Sequence, residues 1–111
     1  MTDKVFIIKS EFLGSGDNQL GTMLMANFLR TLSEAKDTPA KLVCLNSGVH
    51  LVCDGSYALP HLKRLGEKGT EILACGTCLD FYNLSEKQKI GKPTTMVDSV
   101  QIMLNSTVIT L

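Results

Sequence analysis

The chain has 111 residues, of which 44% are hydrophobic, and its 11 basic and 11 acidic side chains give a formal net charge of zero. This length suits one domain with its own core, so we treat residues 1–111 as a single unit. The charge balance excludes the basic excess of an electrostatic nucleic-acid binder, and the lack of Trp leaves few rings for base stacking. No apolar run approaches the length of a membrane span.

The N-terminal half predicts two buried strands joined by a long helix. Residues 5–8 and 41–45 are apolar runs typical of buried parallel strands. Asp17 follows a Gly-Ser-Gly turn and is a candidate N-cap. Apolar residues then recur every fourth position and predict the buried face of the helix, at Leu20, Leu24, Phe28 and Leu32.

The C-terminal half continues the alternation of strands and helices. Ser56 is a candidate N-cap for a second helix, with Pro60 in its first turn. The remaining elements are expected as a third strand at 70–74, a short helix at 77–84, a fourth strand at 94–97, a helix at 100–104 and a last strand at 108–111. This alternation predicts an α/β fold, a parallel sheet covered by helices on both faces.

Loops rich in Gly, Ser, Cys, Asn and Asp follow the predicted strands. The carboxyl ends of parallel strands share one edge of the sheet, and ligands bind there. In the first loop, Ser15, Gly16 and Asp17 are candidate ligand-binding residues, although a plain turn with an N-cap is the alternative. In the second, Asn46 is expected to hydrogen-bond across to the cysteine loop, and Ser47 belongs either to the ligand site or to an ordinary turn.

The cysteine loop itself is Cys-Gly-Thr-Cys at 75–78, directly after the third predicted strand. Near a helix N-terminus the pKa of Cys75 would fall from about 8.5 toward ~3.5–7.5, which makes it the predicted nucleophile. Cys78, one helical turn on, is the predicted resolving thiol, and Asp80 is a candidate to cap or orient the loop. The alternative is a pair of small buried side chains with no chemistry.

Other chemistries of a cysteine pair find less support. A structural zinc site needs a second pair or clustered His, but Cys44 lies in a strand, Cys53 in a loop, and the two His do not repeat a ligand spacing. A thioredoxin-like oxidoreductase is disfavoured by the Gly-Thr insert and by the lack of a Trp-Cys context. We therefore expect neither a metal nor an organic cofactor.

Three runs of residues resemble a known family. They are Leu-Gly-Ser-Gly-Asp at 13–17, Leu-Asn-Ser-Gly-Val at 45–49 and Cys-Gly-Thr-Cys-Leu-Asp-Phe-Tyr at 75–82. They are similar to the C-terminal domain of YedF-like selenium metabolism proteins, in the DsrE-like superfamily of sulfur-relay proteins. The resemblance implies a three-layer α/β/α sandwich with a mostly parallel sheet of about five strands. It also implies a homo-oligomer.

The resemblance assigns unequal roles to the two cysteines. Sulfur-carrying members of the superfamily hold one reactive Cys six residues beyond a Gly that opens the third strand, and Gly69 precedes Cys75 by that spacing. Cys75 is thereby implied as the persulfide-bearing residue, while Cys78 belongs to the YedF-like signature. YedF-like proteins commonly carry a further domain similar to the sulfur carrier TusA, and this sequence starts at the DsrE-like strand.

These observations lead to two hypotheses. The first is a cytosolic, sulfurtransferase-like relay protein that exchanges sulfur, or alternatively selenium, with a thiol carrier such as a TusA-like protein. Its persulfide would sit on Cys75, and Cys78 would resolve it. The second is a non-catalytic oligomeric module that binds a small ligand or partner and uses the cysteine pair structurally. Neither hypothesis involves nucleic acid or membrane.

Overall fold

The computed structural model describes residues 2–111, and the five strands of that range form one sheet. All pairings are parallel, in the order β4-β3-β2-β1-β5. The strands are β1 (Lys4–Ile8), β2 (Lys41–Cys44), β3 (Glu71–Cys75), β4 (Lys92–Thr94) and β5 (Thr107–Thr110). The predicted parallel sheet is therefore confirmed.

The strand order determines where the helices lie. Right-handed crossovers that step from β1 to β4 in one direction put their helices on one face, and the return from β4 to β5 puts its helix on the other. The helices are α1 (Asn18–Glu34), a 3₁₀ helix (Asn46–Val52), α2 (Leu59–Glu67), α3 (Gly76–Phe81) and α4 (Met96–Leu104). The result is the predicted α/β/α sandwich, with α4 alone on the second face.

The core is divided unequally between the two faces of the sheet. The larger cluster unites strand residues such as Leu42 and Ile72 with Leu29 of α1 and Leu62 of α2, all almost completely buried. The smaller cluster lies under α4 and consists of Val5, Ile7, Val43 and Leu73. Burial of this apolar surface is the main stabilising term of the fold.

Helix α4 covers only part of its face. Ile102 and Met103 pack against the smaller cluster. Four other apolar side chains of the helix remain exposed, namely Met96, Val97, Val100 and Leu104. None of the helices within residues 2–111 combines the length and apolarity needed to cross a bilayer.

The predicted buried face of α1 is correct in part: Phe28 and Leu32 are partly buried against the core, but the centre of the buried face lies one position further along the chain. The side turned to the core carries Gly21, Met25, Leu29 and Ser33, while Leu20 and Leu24 are exposed. Gly21 explains this rotation, because a Cβ there would lie 2.7 Å from the Cβ of Phe12. The small residue lets the helix approach the preceding loop closely, and spacing of large apolar residues alone does not reveal it.

Two other element boundaries differ from the sequence prediction. Ala58, not Ser56, is the N-cap of α2, and the Ser56 hydroxyl instead accepts the backbone N–H of Ala58 at 3.0 Å in the preceding turn. The fourth strand ends at Thr94, because Thr95 caps α4 by accepting the N–H of Asp98 at 3.1 Å. Strand β4 is an edge strand and contains Pro93.

Candidate functional site

The two cysteines at the end of β3 differ in exposure. Both are free thiols. Cys75 is the last residue of the strand and is buried, with 4% of its surface exposed. Cys78 lies in α3, is partly exposed and opens into a cavity of about 260 Å³. The accessible sulfur of the pair is therefore that of Cys78, whereas the sulfur of Cys75 is buried.

Asn46 brings a backbone donor to the accessible thiol. Its N–H donates to Cys78 Sγ at 3.1 Å, which is the contact that we expected between this residue and the cysteine loop. Asn46 has φ of 49°, a left-handed conformation that Asn tolerates better than most residues. The Tyr82 hydroxyl donates to Asn46 Oδ1 at 2.8 Å and so fixes the side chain of this strained residue.

The ring of Tyr82 is in turn held by His50. The two rings meet edge to face with centroids 4.7 Å apart. His50 Nδ1 lies 2.9 Å from the carbonyl oxygen of Ser47 and 3.2 Å from Glu11 Oε2. Because both neighbours are acceptors, we assign the proton to Nδ1, which then donates to them. Glu11, His50 and Tyr82 thus form a continuous support for Asn46.

The surroundings of Cys78 together raise the pKa of its thiol above the ordinary value, although one contact opposes this rise. Burial raises the pKa of the Cys78 thiol, and so does the side-chain hydrogen bond with Cys75. The N–H of Asn46 lowers it by stabilising the thiolate. Burial also raises the pKa of Cys44, to about 12, so this strand thiol stays protonated. Cys53 is also buried and its thiol donates to the Val49 carbonyl at 3.2 Å.

The other predicted site residues lie away from the cavity beside Cys78. Ser15 and Gly16 are exposed in the loop after β1, and Asp17 caps α1 by accepting the Leu20 N–H at 2.9 Å. The Ser47 hydroxyl accepts the backbone N–H of Glu11 at 3.2 Å and ties two loops together.

Asp80 faces a different cavity from Cys78. Its carboxylate accepts the Ser85 hydroxyl there. Any role of these residues in ligand binding stays a prediction.

Sequence reasoning missed the two aromatic residues of the cavity. Its lining comprises Asn46, Thr77, Cys78, Phe81 and Tyr82. Tyr82, the C-cap of α3, lies four residues after Cys78. This spacing puts two residues on one side of a helical turn and is a signal that could have identified Tyr82. Among residues 2–111, no three His, Cys, Asp or Glu side chains converge as a metal-binding group.

Solved structures share the whole architecture. The ychN protein from E. coli superposes with a TM-score of 0.74 at 17% identity over 100% of both chains. MTH1491 of Methanobacterium thermoautotrophicum, a protein of unknown function, gives 0.69 at 15% identity over 97% of each chain. BT1422 of Bacteroides thetaiotaomicron, also of unknown function, gives 0.63 at 16% over 98% of this chain and 95% of that one. No family model and no curated protein matches the chain. These likenesses establish the DsrE-like fold.

Proposed function

We propose that the protein is a sulfur-relay protein in which the pair Cys75 and Cys78 receives a sulfane sulfur from one thiol and passes it to another. The observation that carries this proposal is the pairing of an accessible thiol with a buried one at the carboxyl edge of a parallel sheet. A backbone N–H already donates to the accessible sulfur. Thiolates are the species that attack sulfur, and this donor favours the thiolate against the burial that raises the pKa of Cys78.

The partner that fits the cavity is another protein's cysteine. Phe81 is 79% exposed at the rim, and its ring stands edge to face on Tyr82 with centroids 5.2 Å apart. An exposed aromatic beside a reactive group is typical of a docking contact. The cavity lining carries no charged side chain, so a small anionic thiol would find no counter-charge in it. We therefore propose a carrier protein, such as a TusA-like protein, as the donor or acceptor. The proposed compartment is the reducing cytosol, and sulfur is the cargo to be tested first.

Oligomerisation is a separate part of the proposal. The exposed side chains of Val97, Val100 and Leu104 repeat at intervals of three and four along α4 and form one apolar stripe. A chain without net charge does not repel its own copy. We propose that this stripe packs on a second copy. Light scattering at micromolar concentration tests it: Leu104→Glu should reduce the mass to that of a monomer, and a monomeric wild-type chain contradicts it.

The relay itself is tested by exposure to a persulfidated carrier protein under anaerobic conditions. The chain should gain the mass of one sulfur atom, and the gain should disappear when Cys75 and Cys78 are replaced together. Cys44 and Cys53 are internal controls, because both are buried and should remain unmodified. An unmodified pair after confirmed exposure to a competent donor refutes the relay.

The burial of Cys75 favours the second candidate, a non-catalytic binding module with a structural pair. That reading predicts that both thiols resist alkylation in the folded protein. Rapid labelling of Cys78 near neutral pH, with Cys44 unlabelled, would exclude it.

A further inference from the structure

We infer that Cys78 is the thiol that exchanges sulfur with the partner, and that Cys75 is the internal position where the persulfide is then held. This inference rests on the proposed relay and adds the order of its steps. It follows from the difference in exposure between the two thiols. The attacking Sγ and the partner's sulfur must meet in line with the S–S bond that breaks, and this requires an accessible Sγ. Cys75 is 4% exposed, whereas Cys78 opens into the 260 Å³ cavity.

A backbone hydrogen bond to sulfur also points to Cys78. The Asn46 N–H donates to Cys78 Sγ at 3.1 Å, and Asn46 holds a left-handed conformation to do so. The Tyr82 hydroxyl keeps that residue in place through Asn46 Oδ1. Strained backbone that is held by neighbours is often found where a reactive group is positioned. Asn46 and Tyr82 are positioning residues here, while Cys78 is the reacting group.

The first step is an exchange at the entrance. The Cys78 thiolate attacks the outer sulfur of the partner's persulfide. One S–S bond forms on Cys78, the S–S bond of the partner breaks, and the partner leaves as a thiolate. The Asn46 N–H stabilises the attacking thiolate before the step. No oxidant or reductant is consumed, because the sulfane sulfur moves with its oxidation state unchanged.

The second step moves the sulfur inward. Cys75 attacks the outer sulfur of the Cys78 persulfide, a new S–S bond forms on Cys75, and the bond to Cys78 Sγ breaks. The proton of the Cys75 thiol goes to the leaving Cys78 sulfur. The pair therefore keeps the same atoms, protons and charge. The stored persulfide is shielded from other thiols by the burial of Cys75, and release to an acceptor reverses both steps.

The test follows the position of the extra sulfur with time in three proteins. These are the wild type, Cys75→Ala and Cys78→Ser, each exposed to persulfidated carrier, quenched with iodoacetamide and digested with trypsin. Both cysteines fall in the peptide 69–87, so fragmentation places the sulfur within it. Alanine is used at position 75 because burying a hydroxyl there would cost more than burying a methyl group. Circular dichroism checks that each variant is folded.

We expect Cys75→Ala to take up sulfur initially at least as fast as the wild type, because Cys75 raises the pKa of Cys78. The sulfur should then be found on Cys78 and be easily lost to added thiol. Cys78→Ser should take up sulfur no faster than the double variant, and the wild type should accumulate it on Cys75. As a second measurement that needs no variant, iodoacetamide should label Cys78 of the wild type before Cys75.

Other outcomes overturn specific parts. Uptake on Cys75 at the wild-type rate in Cys78→Ser refutes the order of steps but leaves the relay intact. Immediate release of hydrosulfide with a Cys75–Cys78 disulfide refutes storage, because Cys75 has then attacked the inner sulfur. No uptake by the wild type refutes the relay and this inference together.

Discussion

Asn46 contributes in two ways, and substitutions can distinguish them. Its left-handed backbone places the N–H at Cys78 Sγ, and its side chain accepts the hydrogen bond from Tyr82. We consider Asn46→Ala and Asn46→Gly, both in a Cys75→Ala background, so that Cys78 is the titrating thiol at the site. Alanine at φ of 49° carries a penalty of about 1–2 kcal/mol, while glycine carries essentially none. Both variants lose the hydrogen bond from Tyr82, worth about 0.5–1.5 kcal/mol.

The two variants should therefore differ in the position of the N–H. In Asn46→Ala the loop relaxes away from the left-handed region, and the donor leaves Cys78 Sγ. A hydrogen bond to a charged acceptor contributes about 1.5–3 kcal/mol, and Asn46 is exposed, so the lower value applies. Loss of this bond raises the pKa of Cys78 further and lowers its alkylation rate near neutral pH about tenfold. Asn46→Gly keeps the conformation and should lose less than about threefold.

The assay is the rate of iodoacetamide alkylation as a function of pH, followed by mass. A merely structural role of Asn46 would change stability in both variants but leave the pH midpoint in place. Equal shifts of the midpoint in Ala and Gly variants, or no shift in either, would refute the assignment of the backbone N–H as the group that stabilises the thiolate.

Two further predictions concern stability. Burial raises the pKa of Cys44 from about 9 in the unfolded chain to about 12 in the folded protein. The contribution of this thiol to stability is therefore complete below pH 9. Above pH 9 the unfolded chain loses the proton first, and the free energy of unfolding falls by up to about 1.4 kcal/mol per pH unit. Urea unfolding across this range should show that Cys44→Ala flattens the decline, and an unchanged slope would contradict the cause. Gly91→Ala should destabilise by more than about 2 kcal/mol, since its Cβ would lie 2.1 Å from the Ile72 carbonyl oxygen at φ of 71°. The matched control is Gly66→Ala in α2, where the new Cβ meets open space; it should be neutral or stabilising by about 0.5 kcal/mol. Equal losses of stability in the two variants would show that the close contact at Gly91 is not the cause of the destabilisation.

The strands were predictable because a parallel strand buried on both faces leaves a continuous apolar run. Each predicted strand overlaps the observed one, and the errors at β4 arise because Thr95 caps a helix instead of continuing the strand. The register of α1 was not predictable from large apolar residues, because Gly21 and Ser33 occupy the core side. Close approach of a helix is visible only once its neighbour, here Phe12, is placed.

The site was predictable in part for a similar reason. Asn46 and the cysteine pair follow β2 and β3, which are neighbours, so a contact between them could be expected. The loop at 13–17 follows β1, which is separated from β3 by β2, roughly 10 Å along the edge. Sharing an edge of the sheet does not make two loops neighbours. The strand order, which decides this, is not encoded in any local pattern.

The two borders of the sheet have different consequences for self-association in the test tube. Pro93 deprives β4 of a backbone donor, and the side chain of Lys92 adds charge at the same border. Natural proteins use proline and lysine in this way to discourage a foreign strand from extending the sheet. The β5 border, Thr-Val-Ile-Thr at Thr107–Thr110, has neither device. At high concentration, fibrous aggregation would therefore begin at β5. Replacing Thr110 by lysine is the first substitution to try in order to reduce it.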